Sequence, residues 1–132
     1  MSNSISICSF CMNRLVDAQK TIPHLMSILD PCDELVFVDY SDPECSGDWV
    51  LSNIKDPRIV VVKVPNMNFW HMNHARNCAA VNATKDVFVF HDIDILIPPE
   101  VLESIREMPQ DIWYGLKTKT SFVALTAAQF LA

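Results

Sequence analysis

The sequence predicts an α/β protein, a three-layer α/β/α sandwich built on a mostly parallel sheet. Three observations lead there. Four runs rich in β-branched and aromatic residues, at 4–10, 34–39, 59–64 and 86–90, alternate with stretches of helical composition, the β-α-β-α-β-α-β order of a sheet with helices on both faces. The runs are close to continuously apolar, as strands covered on both sides must be. Polar clusters at 9–14, 39–42 and 91–94 fall at the ends of three of these strands, and in such sheets ligands bind at the carboxyl ends of the strands.

Residues 4–10 (SISICSF) form the first predicted strand. Asn13 and Arg14 then open a helix from 15 to about 29, with Ile22, Leu25, Met26 and Leu29 on its buried stripe. Pro23 removes an amide donor from its middle, so a kink or two shorter helical pieces are expected. A turn at 30–33 leads into the second strand, 34–39 (ELVFVD). The stretch 40–47 is polar, carries Pro43 and reads as a loop, followed by a short helix over 48–54 with Ser46 placed to cap it. Asp56-Pro57 breaks the chain before the third strand, 59–64 (IVVVKV), a β-branched run. After a loop at 65–69, residues 72–81 turn helical, with Met72, Ala75, Ala79 and Ala80 available for packing. The fourth strand ends in an acidic pair, and Pro98-Pro99 starts a helix over 100–108, where a missing amide costs nothing. Short strands are expected at 112–116 and 121–124, and the beginning of a helix at 126–130.

With 132 residues, half of them hydrophobic, the chain is read as one domain over 1–132 that can bury a real core. No apolar run reaches the ~18 residues of a membrane span, and Met1-Ser2-Asn3-Ser4 lacks the build of a secretory signal. The net charge of −6 argues against a nucleic-acid partner, which calls for clustered Lys and Arg. An anionic ligand would need a metal or a local Arg. Five cysteines, an odd number scattered through ordinary elements, read as reduced thiols of a soluble, cytoplasmic protein. Cys8-Ser9-Phe10-Cys11 is a C-x-x-C, but no second pair completes a zinc set, and buried structural thiols are expected ahead of a redox dithiol. With Gly47 and Gly115 as the two glycines, neither G-x-G-x-x-G nor G-x4-G-K-[ST] is possible.

The stretch Phe88-Val89-Phe90-His91-Asp92-Ile93-Asp94 carries the chemistry. If the chain stays extended, Asp92 and Asp94 point the same way past the strand end. Two such carboxylates repel unless a cation lies between them, and Mg2+ or Mn2+ typically takes one or two carboxylates together with phosphate oxygens. The alternative is a solvated acidic turn before Pro98-Pro99. Asp39 could likewise cap a turn, Arg76 could be a surface residue paired with a carboxylate, and Phe69 and Trp70 read as core or pocket lining. His71, His74 and His91 lie near one another in sequence at no spacing that closes a zinc set.

Four segments in this order resemble the glycosyltransferases of the Rossmann-like GT-A fold, whose sheet binds a nucleotide-diphospho-sugar and whose D-x-D motif holds a metal. They are Ile7-Cys8-Ser9-Phe10-Cys11-Met12-Asn13-Arg14, Val36-Phe37-Val38-Asp39-Tyr40-Ser41-Asp42, Asn73-His74-Ala75-Arg76-Asn77 and the acidic stretch itself. The acidic stretch with Pro98-Pro99, and the later Ala124-Leu125-Thr126 and Gln129-Phe130-Leu131, are most similar to the galactosyltransferase and inverting family 2 groups. There a similar segment leads into the acceptor site and catalytic base, so the resemblance covers the nucleotide-sugar half, and the fold is expected to be incomplete at its acceptor end.

The resemblance implies roles. Ser9 and Phe10 would line a uridine pocket with Arg14 close by, and Asp39 would accept the uracil imide N–H. Arg76 would offer its guanidinium fork to the base or diphosphate. Asp92 would contact the ribose or the metal, and Asp94 would ligate Mn2+ or Mg2+ on the diphosphate. The implied partners are a UDP-sugar donor and a carbohydrate or lipid-linked acceptor. No candidate for the catalytic base is found, and self-association through apolar surface left open is a further expectation. Two other readings stand beside transfer of a hexose: a nucleotide- and metal-binding module that transfers nothing, and a metal-dependent nucleotidyl or phosphoryl transferase.

Overall fold

The computed structural model describes residues 2–109, 114–115 and 123–126. In chain order its elements are β1 (Ile5–Cys11), α1 (Leu15–Ile28), β2 (Glu34–Tyr40), α2 (Ser46–Asn53), β3 (Ile59–Val64), α3 (Met72–Ala80), β4 (Val87–Asp92), α4 (Pro99–Arg106), β5 (Tyr114–Gly115) and β6 (Val123–Thr126). The sheet runs β3-β2-β1-β4-β6-β5. Its first four strands are parallel, and β6 and β5 are added antiparallel beyond β4.

Alternation along the strands sorts the core into two layers. On one face Ile5, Ile7 and Cys11 of β1, Leu35 and Phe37 of β2 and Val87 and Val89 of β4 pack with Ala18, Ile22 and Leu25 of α1, Val50 of α2 and Leu102 and Ile105 of α4. On the other, Cys8 and Phe10, Val36, Val38 and Tyr40, and Phe88 and Phe90 pack with Ala75, Ala79 and Ala80 of α3. Helices thus cover both faces, the predicted three-layer sandwich. At the amino ends of the strands the buried Asp33 carboxylate accepts the Ile5 N–H at 2.9 Å and a two-pronged contact from Arg106 of α4.

Several elements depart from expectation for physical reasons. Helix α1 runs through Pro23 as one continuous helix. Pro23 and Gln19, whose carbonyl loses its partner, are both exposed, on the side of the helix where solvent can satisfy an unpaired carbonyl. The last carbonyls of α1 are met from outside, since Arg58 donates to Leu29 O at 2.6 Å and Met26 O at 3.0 Å. Helix α2 starts at Ser46 rather than 48. Met72 is exposed rather than packed, because it begins α3 at the rim of the sheet. Thr126 ends β6 instead of opening a helix; residues 127–130, and the outer parts of the strands expected at 112–116 and 121–124, lie outside the described residues.

The C-x-x-C lies within β1, where a spacing of three puts its members on opposite faces. Cys8 packs in the α3 layer and Cys11 in the α1 layer, so they do not form a redox dithiol. No helix among the described residues is long and apolar enough to cross a membrane.

Candidate functional site

Strands β1 and β4 are neighbours in the sheet, yet the chain visits β2 and β3 before returning to β4. The connection leaving β1 passes over one face and the one entering β4 over the other. Such a reversal leaves a crevice at the carboxyl ends of the two strands, the favoured ligand position in open α/β sheets. A cavity of ≈ 320 Å³ opens there. Phe10, Met12 and Arg14 line it from the end of β1, Asp92, Ile93 and Asp94 from the end of β4, and Trp70 and Met72 close the α3 side. A second hollow of ≈ 560 Å³ shares Trp70 and Met72 and continues past Met67, His71, Asn73 and His74.

The register of the parallel pair sets which side chains meet. Phe10 lies beside Asp92, and Ser9 beside His91. Successive residues face opposite ways, so Phe10 and Asp92 look toward the α3 layer while Ser9 and His91 look toward α1. On the α3 side, the Trp70 ring sits 5.8 Å from Phe10 and 5.3 Å, edge-on, from Tyr40. The Tyr40 hydroxyl is 2.7 Å from His74 Nδ1, which holds the ladder to α3. Phe69, by contrast, is exposed and contacts His71. The sequence left Trp70 undecided between core and pocket; it lines the cavity.

The acidic pair does not remain extended. Strand β4 ends at Asp92, and Ile93 and Asp94 form a turn closed by the Ile95 N–H on the Asp92 carbonyl at 3.0 Å. Both carboxylates still line the same cavity, Asp92 half-buried and Asp94 exposed. Two carboxylates with no thiol or imidazole beside them among the lining residues form a hard oxygen donor set, which fits Mg2+ or Mn2+ and not zinc. Arg14 brings a guanidinium to the same wall, 3.3 Å from the Asp17 carboxylate.

The histidines do not converge. His91 is fully buried, with Nε2 2.6 Å from the Ile95 carbonyl and Nδ1 2.7 Å from Ser9 Oγ. A carbonyl can only accept, so Nε2–H donates, and in the neutral ring Nδ1 takes the Ser9 proton. Burial lowers its pKa despite the Ile95 carbonyl and the nearby carboxylates, favouring that neutral ring. Among the described residues one group of three possible metal ligands meets, Asp30, Cys32 and Asp33. Arg106 already bridges its two carboxylates and offsets part of their charge.

Three predicted site residues do not line the cavity. Ser9 faces α1 and spends its hydroxyl on His91. Asp39 is buried, and its carboxylate accepts the Asp42 N–H and the Gly47 N–H, each at 2.9 Å, so it closes the β2–α2 turn and caps α2. Arg76 lies half-buried on α3, its Nε without a hydrogen-bond partner among the described residues. One structural residue was missed. The Asp42 carboxylate accepts the N–H groups of Asn13 and Glu44, each at 3.0 Å, and so fixes the β1–α1 loop that presents Met12 and Arg14. Burial would raise its pKa, but the Ser46 hydroxyl and those two N–H groups outweigh it and hold the carboxyl below the usual range. The polar stretch after β2 was its signal.

No family model matches the sequence, and no curated protein is similar to it. Solved structures are. A mannosyltransferase from Pyrobaculum calidifontis, in complex with GDP-Man and Mn2+, superposes on 96% of this chain with a TM-score of 0.75 at 14% identity. S. aureus TarS 1-349 superposes on 76% of it with a TM-score of 0.68 at 20% identity, and its complex with UDP-GlcNAc with a TM-score of 0.65. This chain therefore has the α/β nucleotide-sugar-transferase fold, and it spans 45% of the mannosyltransferase and 30% of TarS 1-349.

Proposed function

We propose that this chain binds a nucleotide-sugar, a UDP-sugar, in the crevice between β1 and β4, and serves as the donor-binding part of a glycosyltransferase that moves a hexose to a carbohydrate or lipid-linked acceptor. One observation carries the reading: two carboxylates, a guanidinium and an aromatic wall converge on one cavity at the point where the strand order reverses. The bound molecules of the structural neighbours, GDP-Man with Mn2+ and UDP-GlcNAc, are of this chemistry.

Asp94 and Asp92 would hold Mn2+ or Mg2+. When bound, that cation supplies positive charge against a nucleoside diphosphate as it departs. The chain's own residues do the rest. Arg14 offers planar donors to phosphate oxygens. Phe10 and Trp70 give flat apolar surface to a base or sugar ring. Arg76 is assigned to the base or diphosphate; its buried Nε has no hydrogen-bond partner among the described residues, and it would have to turn toward the cavity to reach either. In this reading Ser9 acts from beneath the sheet through His91. Asp39 keeps one lone pair per oxygen beyond its two backbone contacts and is assigned to an imide N–H of the base.

Among the described cavity residues the carboxylates are Asp92 and Asp94, both assigned to the metal. A general base for the acceptor hydroxyl is not among them; a nucleotide- and metal-binding module that transfers nothing is the alternative reading. Calorimetric titration with UDP tests the core proposal. UDP should bind in the presence of Mn2+ and weaken at least about tenfold without it or in Asp94→Ala. Equal binding in all three samples would sink the metal assignment. Release of UDP from UDP-sugars then separates transferase from module.

A further inference from the structure

The acidic turn is held from behind by side chains that do not line the cavity. After Asp94 the chain makes no helix or strand until Pro99. Through this stretch it alternates: Ile93 and Ile97 are buried and Ile95 packs partly against them in the α1 layer, while Asp94 and Leu96 are exposed. Backbone in such a segment has no sheet or helix ladder, so its polar groups need other partners. Three alternate carbonyls find side chains. Ile93 O accepts from Thr21 Oγ1 at 2.8 Å, Ile95 O from His91 Nε2 at 2.6 Å, and Ile97 O from His24 Nε2 at 2.6 Å. Two donors come from adjacent turns of α1, and the third is the residue before the acidic pair.

We infer that Thr21, His24 and His91 are positioning residues that fix the turn bearing Asp92 and Asp94, setting metal affinity without contacting the metal. The inference rests on the reading that this pair holds the cation. The isoleucines anchor the segment in the core but leave it free to slide along its own axis, since apolar contact is non-directional. Hydrogen bonds to successive carbonyls remove that freedom. A displacement of the turn would separate the two carboxylates from the positions they share at the cavity wall, and supporting contacts of this kind typically change metal affinity 10- to 100-fold.

The test uses the whole chain, UDP and Mn2+, with Mn2+ affinity read from the paramagnetic signal of the free ion. Thr21→Val deletes the hydroxyl at constant shape, and His24→Phe keeps a ring but deletes the donor. Each should weaken Mn2+ binding on the order of tenfold, and Thr21→Ser should restore it to within about twofold, with the folded fraction matched by circular dichroism. Either variant decides if the other fails to fold. Folded variants that bind Mn2+ as tightly as the parent chain, while the parent needs Asp94, would overturn this inference and leave the proposed function standing. A parent chain that binds no Mn2+ would overturn both.

Discussion

Gly47→Ala isolates what Asp39 does. A Cβ on Gly47 would lie 2.7 Å from Asp39 Oδ2, 2.9 Å from Asp39 Cβ and 3.2 Å from Val61 Cγ1. The carboxylate cannot step aside cheaply, because the Asp42 and Gly47 N–H groups hold its two oxygens at 2.9 Å. Hydrogen bonds to a charged group contribute about 1.5–3 kcal/mol each, and the methyl group strains both without removing either. Half of that loss over two bonds is about 2 kcal/mol, and overpacking at Val61 adds up to about 1 kcal/mol. Against this, alanine in a helix gains about 0.5–1 kcal/mol over glycine. The net expectation is a destabilisation of about 2 kcal/mol, which for a chain of this length lowers Tm by roughly 8 °C. Urea unfolding with an unchanged slope would measure it. Asp39→Asn keeps the shape but offers one acceptor oxygen for two N–H groups, so one bond becomes neutral and the other is replaced by a donor facing a donor; it should destabilise at least as much as Gly47→Ala. A Gly47→Ala chain within about 0.5 kcal/mol of the parent would refute the packing argument and return Asp39 to a role defined by a ligand alone.

Two further outcomes follow from the buried groups. Arg106→Met leaves the Asp33 carboxylate buried with the N–H groups of Ile5 and Asp30 but without its cation, and should cost about 3 kcal/mol, the low end for a broken buried pair. Burial pushes the Asp33 pKa up, but Arg106 and the two N–H groups outweigh it and the net shift is downward. That contribution is therefore complete above the ordinary carboxylate range and lost as pH falls through the lowered value, so parent and Asp33→Asn stabilities should converge in acid; parallel curves from pH 7 to 3 would contradict it. For the thiols, burial raises Cys8, and raises Cys11 to about 12; Cys32 and Cys45 are exposed, and Cys32 is also pushed up, by desolvation and then the Asp33 carboxylate, so of the two Cys45 should react faster. A thiol reagent near pH 7.5 should modify Cys32 and Cys45 quickly and Cys8 and Cys11 on unfolding; fast modification of Cys8 or Cys11 would argue against the strand assignment.

The fold was legible because its signals are local. Continuous apolar runs mark strands buried on both faces, and their alternation with helices leaves few topologies. The antiparallel addition of β6 and β5 was not legible, since strand order depends on which edge a late segment reaches. Helix α1 is not split in two at Pro23, and the sequence does not say that Pro23 and Gln19 lie on its exposed side.

The site divides along the same line. Asp92, Asp94, Phe10 and Arg14 line one cavity, since strand ends at a reversal of strand order converge whatever their detailed geometry. The resemblance groups Ser9 and Asp39 with them as strand-end residues, and here residue parity turns both side chains to the other face of the sheet. Ser9 and Phe10 are adjacent on a strand, so they cannot face the same layer; Phe10 shares the cavity face with Asp92 and leaves Ser9 to His91. Asp39 has the parity of Phe37, toward α1 and α2, and Tyr40 has that of Val38, toward Trp70. A reading that applied period-two alternation to each strand-end cluster would have chosen Phe10, Tyr40 and Asp92 for the ligand side, and Ser9, Asp39 and His91 for the supporting side. The first three shape the cavity directly or through Trp70; of the second three, Asp39 ties the β2–α2 turn to α2, and Ser9 holds His91, which donates to the Ile95 carbonyl beyond the acidic turn.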